Sequence, residues 1–263
     1  MFAVRTAAAR GGYTHTIVGN PADATARPSP GLVLIGGGDD VDEAFRWLNA
    51  RSGGGDLVVL RASGADDYNP YIHGLGGVDS VETFVIKSKR AVTDPFVLER
   101  IRGAEALFIA GGDQWNYVRL WKGTPVEDAI HAHVAKGGPI GGTSSGLAIL
   151  GEFSFSAEHD TVTSAQALAD PYDRRVALAR DFLALPGLES LITDSHFAER
   201  DRMGRTLTFL ARLVQDGWAT EVREIAVDRE AAVLIEPDGR ARLVAHDGHA
   251  AWFLRTPGPP QTC

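Results

Sequence analysis

Leu32-Val33-Leu34-Ile35-Gly36-Gly37-Gly38 is the stretch on which the fold turns: four apolar residues without alternation, stopped by three glycines. A strand with one wet face alternates apolar with polar residues. A run without alternation is buried on both faces, which predicts a parallel sheet covered by helices on either side. The same texture recurs at Leu57–Leu60, at Thr83–Ile86 and at Ala106–Ala110 before Gly111-Gly112. Helical segments lie between these runs. Val41–Ala50 sets Val41, Ala44, Phe45 and Leu48 at helical spacing, with Asp39 or Asp40 as N-cap. Asp94-Pro95 opens a helix over Phe96–Arg102, and Thr124-Pro125 opens another over Val126–Lys136, which Gly137-Gly138 ends. Regular alternation with short loops implies right-handed crossovers and a doubly wound, mostly parallel α/β sheet.

After Gly217 the texture changes to short strands at Glu224–Val227, Ala232–Ile235, Arg240–Ala245 and Ala250–Leu254. Glu236-Pro237-Asp238-Gly239 and His246-Asp247-Gly248 separate the later ones, which predicts a C-terminal antiparallel β-meander extending the main sheet. The expected organisation is one domain over 1–263, with 218–256 as a C-terminal β extension. The tail 257–263, with Pro257, Gly258, Pro259 and Pro260, is expected to fray.

Composition sets the outer limits. With 263 residues, 44% hydrophobic and 23% charged, the chain can bury a sizeable core, so disordered and fibrous classes are excluded. Lys and Arg number 26 against 34 Asp and Glu, a net charge of −8, which excludes a broad footprint for nucleic acid or anionic membrane. The single cysteine, Cys263, allows neither an intrachain disulfide nor a thiolate metal cluster. No run approaches the roughly 18 apolar residues of a membrane span, and Met1–Asn20 lacks the pattern of an export signal, so a cytoplasmic location is expected. His131 and His133 are two apart on a helix, face different ways and read as solvent-exposed. His246 and His249 flank a turn, and His15, His73 and His159 have no partner at ligand spacing. Neither a metal nor a cofactor is expected.

The chemistry concentrates at Gly142-Thr143-Ser144-Ser145-Gly146, a G-x-S-x-G pattern between a short strand, Pro139–Gly141, and an apolar helical run, Leu147–Leu150. A sharp strand-to-helix turn leaves no room for side chains beside the serine, and the following helix aims N–H groups where an oxyanion would form. Ser144 is the candidate nucleophile; the competing reading is a glycine-rich turn with Ser145 as N-cap. His196 follows the apolar run Leu191-Ile192 through Thr193-Asp194-Ser195 and is delivered beyond the carboxyl end of a strand, which makes it the candidate base. Gly112, Asp113 and Gln114 stand at another strand end, where Gln114 can read a substrate amide or carboxylate. Arg200, Arg202 and Arg205 follow His196, and Arg202 and Arg205 are candidates for a substrate carboxylate. The polar turn Asp66-Asp67-Tyr68-Asn69-Pro70-Tyr71 is expected on the pocket wall.

Gly141-Gly142-Thr143-Ser144-Ser145-Gly146, Asp194-Ser195-His196-Phe197 with Arg200, Arg202, Gly204 and Arg205, and Gly111-Gly112-Asp113-Gln114 together resemble the cyanophycinase family of serine peptidases, to which aspartyl dipeptidase is related. The resemblance runs from about Leu32 to Leu213. It implies a flavodoxin-like or class I glutamine-amidotransferase-like fold, Ser144 as nucleophile, His196 as base, Gln114 in the substrate pocket, no metal and a homodimer; Ser145, beside the nucleophile, is a further substrate-binding candidate. The implied substrate is cyanophycin, a polymer of β-linked aspartate–arginine units, or a smaller acidic dipeptide. Ser145 stands where the family commonly has alanine. The acid of the triad is sought between serine and histidine, with Glu158 and Asp160 leading and Glu152 and Gln166 as alternatives; a neutral Gln166 there would weaken or abolish activity. The other function classes are a catalytically silent peptide- or small-molecule-binding homologue and an α/β-hydrolase-type esterase.

Overall fold

In the computed structural model, residues 5–65 and 67–258 are described. Asp66, Pro259, Pro260 and Cys263 lie outside the described residues. Fourteen strands are found among the described residues. In chain order they are β1 (Arg5–Arg10), β2 (Tyr13–Gly19), β3 (Leu32–Ile35), β4 (Asp56–Arg61), β5 (Ser80–Ile86), β6 (Ala106–Ile109) and β7 (Ile140–Thr143). There follow β8 (Phe153–Phe155), β9 (Leu178–Arg180), β10 (Leu191–Asp194), β11 (Arg223–Val227), β12 (Ala231–Ile235), β13 (Ala241–Ala245) and β14 (Ala251–Arg255). The α-helices are α1 (Asp42–Arg51), α2 (Tyr68–Gly74), α3 (Pro95–Gly103), α4 (Gln114–Trp121), α5 (Pro125–Ala135), α6 (Ser164–Ala169) and α7 (Met203–Gln215).

The main sheet has nine strands in the order β1-β2-β5-β4-β6-β7-β3-β12-β13. Its centre, β5-β4-β6-β7-β3, is parallel throughout, and the strands flanking it pair antiparallel. All four residues of β3, β6 and β7 are buried, as their unbroken apolar or glycine runs require. Alternate residues serve opposite faces. Val33, Ile35, Val59 and Phe108 pack on Phe45 and Leu48 of α1 and Ile72 of α2. Leu34, Leu60, Leu107 and Ile109 pack on Ile101 of α3, Trp121 of α4 and Ile130 of α5. The doubly wound α/β class read from the sequence is therefore the observed one. Asp94 caps α3 by accepting from the Phe96 and Val97 N–H groups, as expected. The cap position of α1 falls instead on Val41 and that of α5 on Thr124, and neither side chain makes a capping bond.

A second sheet, β14-β11-β10-β8-β9, lies beside the first, with β10 parallel to both β8 and β11. Here the expected meander is corrected. The Asp238-Gly239 turn does close a hairpin, β12–β13, which extends the main sheet beyond β3. The strands before and after it, β11 and β14, leave that sheet and pair with each other in the second one. The turn signal is local and specifies only its own hairpin. The choice of sheet for β11 rests on pairing with β10 some thirty residues upstream, which no short-range pattern encodes.

β7 and the turn after it lie tightly against β6. A Cβ at Gly146, just past its end, would lie 2.0 Å from the Ile109 carbonyl oxygen of β6. Gly146→Ala is expected to destabilise the protein by about 2–4 kcal/mol, whereas Gly74→Ala, whose Cβ meets nothing within 4 Å, is expected to be neutral or slightly stabilising. Urea unfolding of the two variants measures the contrast.

Candidate active site

In an open α/β sheet the groups that meet a ligand gather beyond the carboxyl ends of the parallel strands. The ends of β3, β6 and β7 and, from the second sheet, β10 converge in this way. Ser144 follows β7 directly and is held in the left-handed region at φ 53°. Its N–H donates to the Ile35 carbonyl at 3.0 Å, which ties it to β3. The segment after it is a succession of turns rather than the expected helix. Gly146 N–H bonds to Thr143 O and Ala148 N–H to Ser144 O, mixing turn sizes. Gly151, packed against the Leu191 carbonyl, closes the segment before a second helical turn can form.

His196 follows β10 and also has positive φ, 46°. Its N–H donates to Gly36 O at 2.9 Å. Gly37, at φ +96°, lies against the imidazole, and a Cβ there would stand 2.4 Å from Nε2. The ring is thereby set so that Ser144 Oγ and His196 Nε2 are 3.0 Å apart. On its other side Nδ1 lies 2.6 Å from Glu199 Oε1. Burial holds the imidazole below its ordinary value of 6.5, opposed by Glu199 and reinforced by the cations Arg200 and Arg202. His196 is therefore neutral at pH 7 and can accept a proton from the serine.

The carboxylate that meets His196 is thus Glu199, in place of the residues expected between serine and histidine. Glu158 and Asp160 are exposed; the Glu158 N–H donates to Ser156 Oγ, and the Asp160 carboxylate accepts from Thr161 N–H and faces Arg175. Glu152 accepts from Ser190 N–H, and Gln166 completes the capping box of α6 with Thr163. Chain order is serine, histidine, glutamate. The missed signal is the three-residue spacing His196-x-x-Glu199, which becomes a contact because the chain folds back after the positive-φ histidine. Arg202 N–H bonding to Phe197 O marks that turn.

Arg202 and Arg205 are also placed differently from the carboxylate-reading role expected of them. Arg205, 1% exposed, grips Asp194 with Nε to Oδ2 at 3.0 Å and Nη2 to Oδ1 at 2.6 Å. Phe155 and Phe209, stacked on each other with centroids 5.0 Å apart, lie beside its guanidinium at 4.9 and 5.6 Å. Arg202 Nη1 donates to Asp194 Oδ1 at 2.8 Å and to the Ser195 carbonyl at 2.6 Å. The two arginines hold the Asp194 carboxyl below its ordinary range against the cost of burial. Glu224, buried beside Asp194 and accepting from Thr206, is pushed well above its own.

Arg200 and Arg229 stand beside Glu199. Their side chains are 52% and 47% exposed, with Nε atoms 3.8 and 3.7 Å from the Glu199 carboxylate, and Arg229 Nε also donates to Glu230 Oε1 at 2.7 Å. Gln114 Nε2 donates to Phe155 O at 3.3 Å, joining α4 to β8. Asp113 caps α4 through the Trp115 N–H. Gly111 lies against Ser144, its Cβ position 3.4 Å from Ser144 Cβ, and Gly112 faces Ser63 and Tyr117. Ser145 is buried, and its hydroxyl has no hydrogen-bond partner. Tyr68 of the expected pocket wall donates to Asp40. His133, expected to be exposed, is wholly buried; Nε2 meets Pro139 O, and burial lowers its pKa to about 4. No group of three His, Cys, Asp or Glu suited to a metal ion is found among the described residues, nor any helix long and apolar enough to cross a membrane.

Residues 65–172 match the model of Peptidase family S51. The chain is 26% identical over 227 residues to the cyanophycinase of Synechococcus elongatus, covering 81% of this chain and 65% of that one. It is 24% identical over 237 residues to the cyanophycinase of Geminocystis herdmanii, covering 83% and 81%. The chain thus spans just under two thirds of the length of the first of these relatives. Among solved structures, a peptidase from an acI-B1 Actinobacterium superposes with a TM-score of 0.60 at 13% identity, covering 86% of this chain and 95% of that one; it shares the fold. These matches bear out the resemblance to the cyanophycinases.

The buried carboxylate–arginine cluster generates a prediction of its own. Arg205→Met is expected to cost about 3–5 kcal/mol, because it leaves Asp194 uncompensated in the interior. Denaturant unfolding measures it, and a variant as stable as the parent would contradict the structural assignment of Arg205.

Proposed function

We propose that the chain is a serine peptidase that hydrolyses amide bonds in aspartate-containing substrates through Ser144, His196 and Glu199. The observation that carries this reading is the continuous chain from Ser144 Oγ to His196 Nε2 at 3.0 Å and from His196 Nδ1 to Glu199 Oε1 at 2.6 Å. His196 Nε2 takes the Ser144 proton as Oγ attacks the scissile carbonyl carbon. Glu199 fixes the tautomer that leaves Nε2 free to accept, and stabilises the imidazolium. The backbone N–H groups of Gly112 and Ser145 are the donors proposed for the oxyanion. His196 returns the proton to the leaving amine as the C–N bond breaks, leaving an acyl-enzyme. A water, deprotonated by the same imidazole, then attacks the ester, and Ser144 leaves with its proton restored.

The substrate class is supported by the relatives named cyanophycinase and by the charge beside Glu199. Arg200 presents a half-exposed guanidinium suited to a substrate carboxylate, and the side-chain oxygen of Gln114 is the proposed acceptor for a substrate amide. The β-linked aspartate–arginine bond of cyanophycin and isoaspartyl or aspartyl dipeptides are the proposed targets. A homodimer and a cytoplasmic location belong to the same proposal.

Incubation of the protein with cyanophycin and a panel of aspartyl and isoaspartyl dipeptides, scored by released amine, tests this reading. Ser144→Ala is expected to abolish release, and Glu199→Gln to lower kcat by about 10²- to 10⁴-fold; Glu158→Gln and Asp160→Asn are expected to match the parent. No release by the parent would select the silent binding homologue. Since catalysis needs neutral His196, whose pKa is lowered by burial, kcat/KM is expected to rise with pH to a plateau whose midpoint lies below 6.5. A midpoint above 6.5 would contradict the assignment of His196 as base.

A further inference from the structure

Glu199 stands on a short loop between β10 and α7, and its side chain is 28% exposed. A half-wet carboxylate on a loop keeps a fixed bond to an imidazole only if the loop itself is anchored. The anchor is on the other side of the loop. Asp228, 4% exposed, follows β11 directly and turns its carboxylate inward. Oδ1 accepts from the Ala198 N–H at 2.9 Å and from the Trp252 indole N–H at 3.1 Å, and Oδ2 accepts from the Ala250 N–H at 2.9 Å. No cationic side chain pairs with it among the described residues. Three N–H groups from two segments, the loop at Ala198 and the chain entering β14 at Ala250 and Trp252, therefore converge on one buried carboxyl group, an arrangement that fixes direction as well as distance. Around it, Phe197 N–H donates to Val227 O at 3.3 Å, and the Phe197 ring rests on Trp252 with centroids 5.8 Å apart.

We propose that Asp228 is a positioning residue for the reaction: by gripping the Ala198 amide, it holds Glu199 against His196 Nδ1. Phe197 and Ala198 both lie between base and acid in the chain, and the Ala198 amide is the one adjacent to Glu199, so its displacement moves Glu199 relative to the ring while Gly36 still holds His196. The inference rests on the Ser144-His196-Glu199 reading for its catalytic consequence, and its geometric claim is tested independently. The charged groups acting on His196 are Glu199, Arg200 and Arg202, and of these Glu199 alone favours the protonated ring.

The experiment compares the parent, Asp228→Asn, Glu199→Gln and the double variant by kinetics and by NMR titration of the His196 imidazole, assigned with His196→Ala. Asn keeps the size of the side chain but presents an N–H to one of the three donors. Asp228→Asn is expected to lower kcat about tenfold with KM changed less than twofold. It should also move the His196 midpoint downward, in the direction of Glu199→Gln, and the double variant should be no slower than Glu199→Gln alone. A folded Asp228→Asn with the parent's kcat and His196 midpoint, or a double variant in which the two losses multiply, would overturn the proposal. Should Asp228→Asn not fold, Trp252→Phe removes a single donor; a smaller shift of His196 in the same direction supports the proposal and an unchanged midpoint overturns it. If the parent cleaves nothing, the titration alone decides the role of Asp228, and the peptidase reading fails separately.

Discussion

The site depends on how closely the backbone of Gly36 and Gly37 can be approached. Ile35, the last residue of β3, accepts from Ser144 N–H, Gly36 accepts from His196 N–H, and Gly37 accepts from Glu230 N–H. A Cβ at Gly36 would lie 1.9 Å from the Asp228 carbonyl oxygen, and one at Gly37 would overlap the His196 ring. A single bare loop therefore serves as the gasket between two sheets, and each sheet brings its reactive residue to that loop. Any side chain inserted there would separate serine from histidine by more than a hydrogen bond can span.

The interior behind this loop is unusually rich in charge, and the charge is divided by task. Asp194 and its two arginines are compensated within the core, where aromatic faces complete the shell around Arg205. Ion pairs of this kind seldom add net stability over apolar packing, but they tolerate one geometry only. That rigidity is placed immediately before His196: Ser195 N–H donates to Asp194 Oδ1, and Ser195 O accepts from Arg202. Glu199, Arg200 and Arg229, by contrast, form a wetter group whose charges face outward.

Much of this was legible in the sequence, for identifiable reasons. Leu32–Ile35 was read to its observed ends because burial on both faces and a following glycine run are both local signals. The meeting of Ser144 and His196 was legible because one sits in a G-x-S-x-G turn and the other follows an apolar strand at its carboxyl end. The carboxylate that meets His196 was not, since its partner choice depends on a turn stabilised by Asp228 and Arg202, which lie beyond the segment between serine and histidine. Arg202 and Arg205 were misplaced for a related reason: arginines beside a reactive histidine look available until Asp194, two residues before that histidine, is seen to face the same way. The assignment of β11 and β14 to a separate sheet was equally hidden, because pairing partners far apart in the chain leave no periodic trace.

The division of Ser144, His196 and Glu199 between the sheets has a mechanical consequence. Ser144 belongs to the main sheet, whereas His196 and Glu199 ride together on one loop of the second. Base and acid therefore travel as a unit, and the bond from His196 N–H to Gly36 O fastens that unit to the sheet that carries the serine, like a hinge pin set beside the gap it governs.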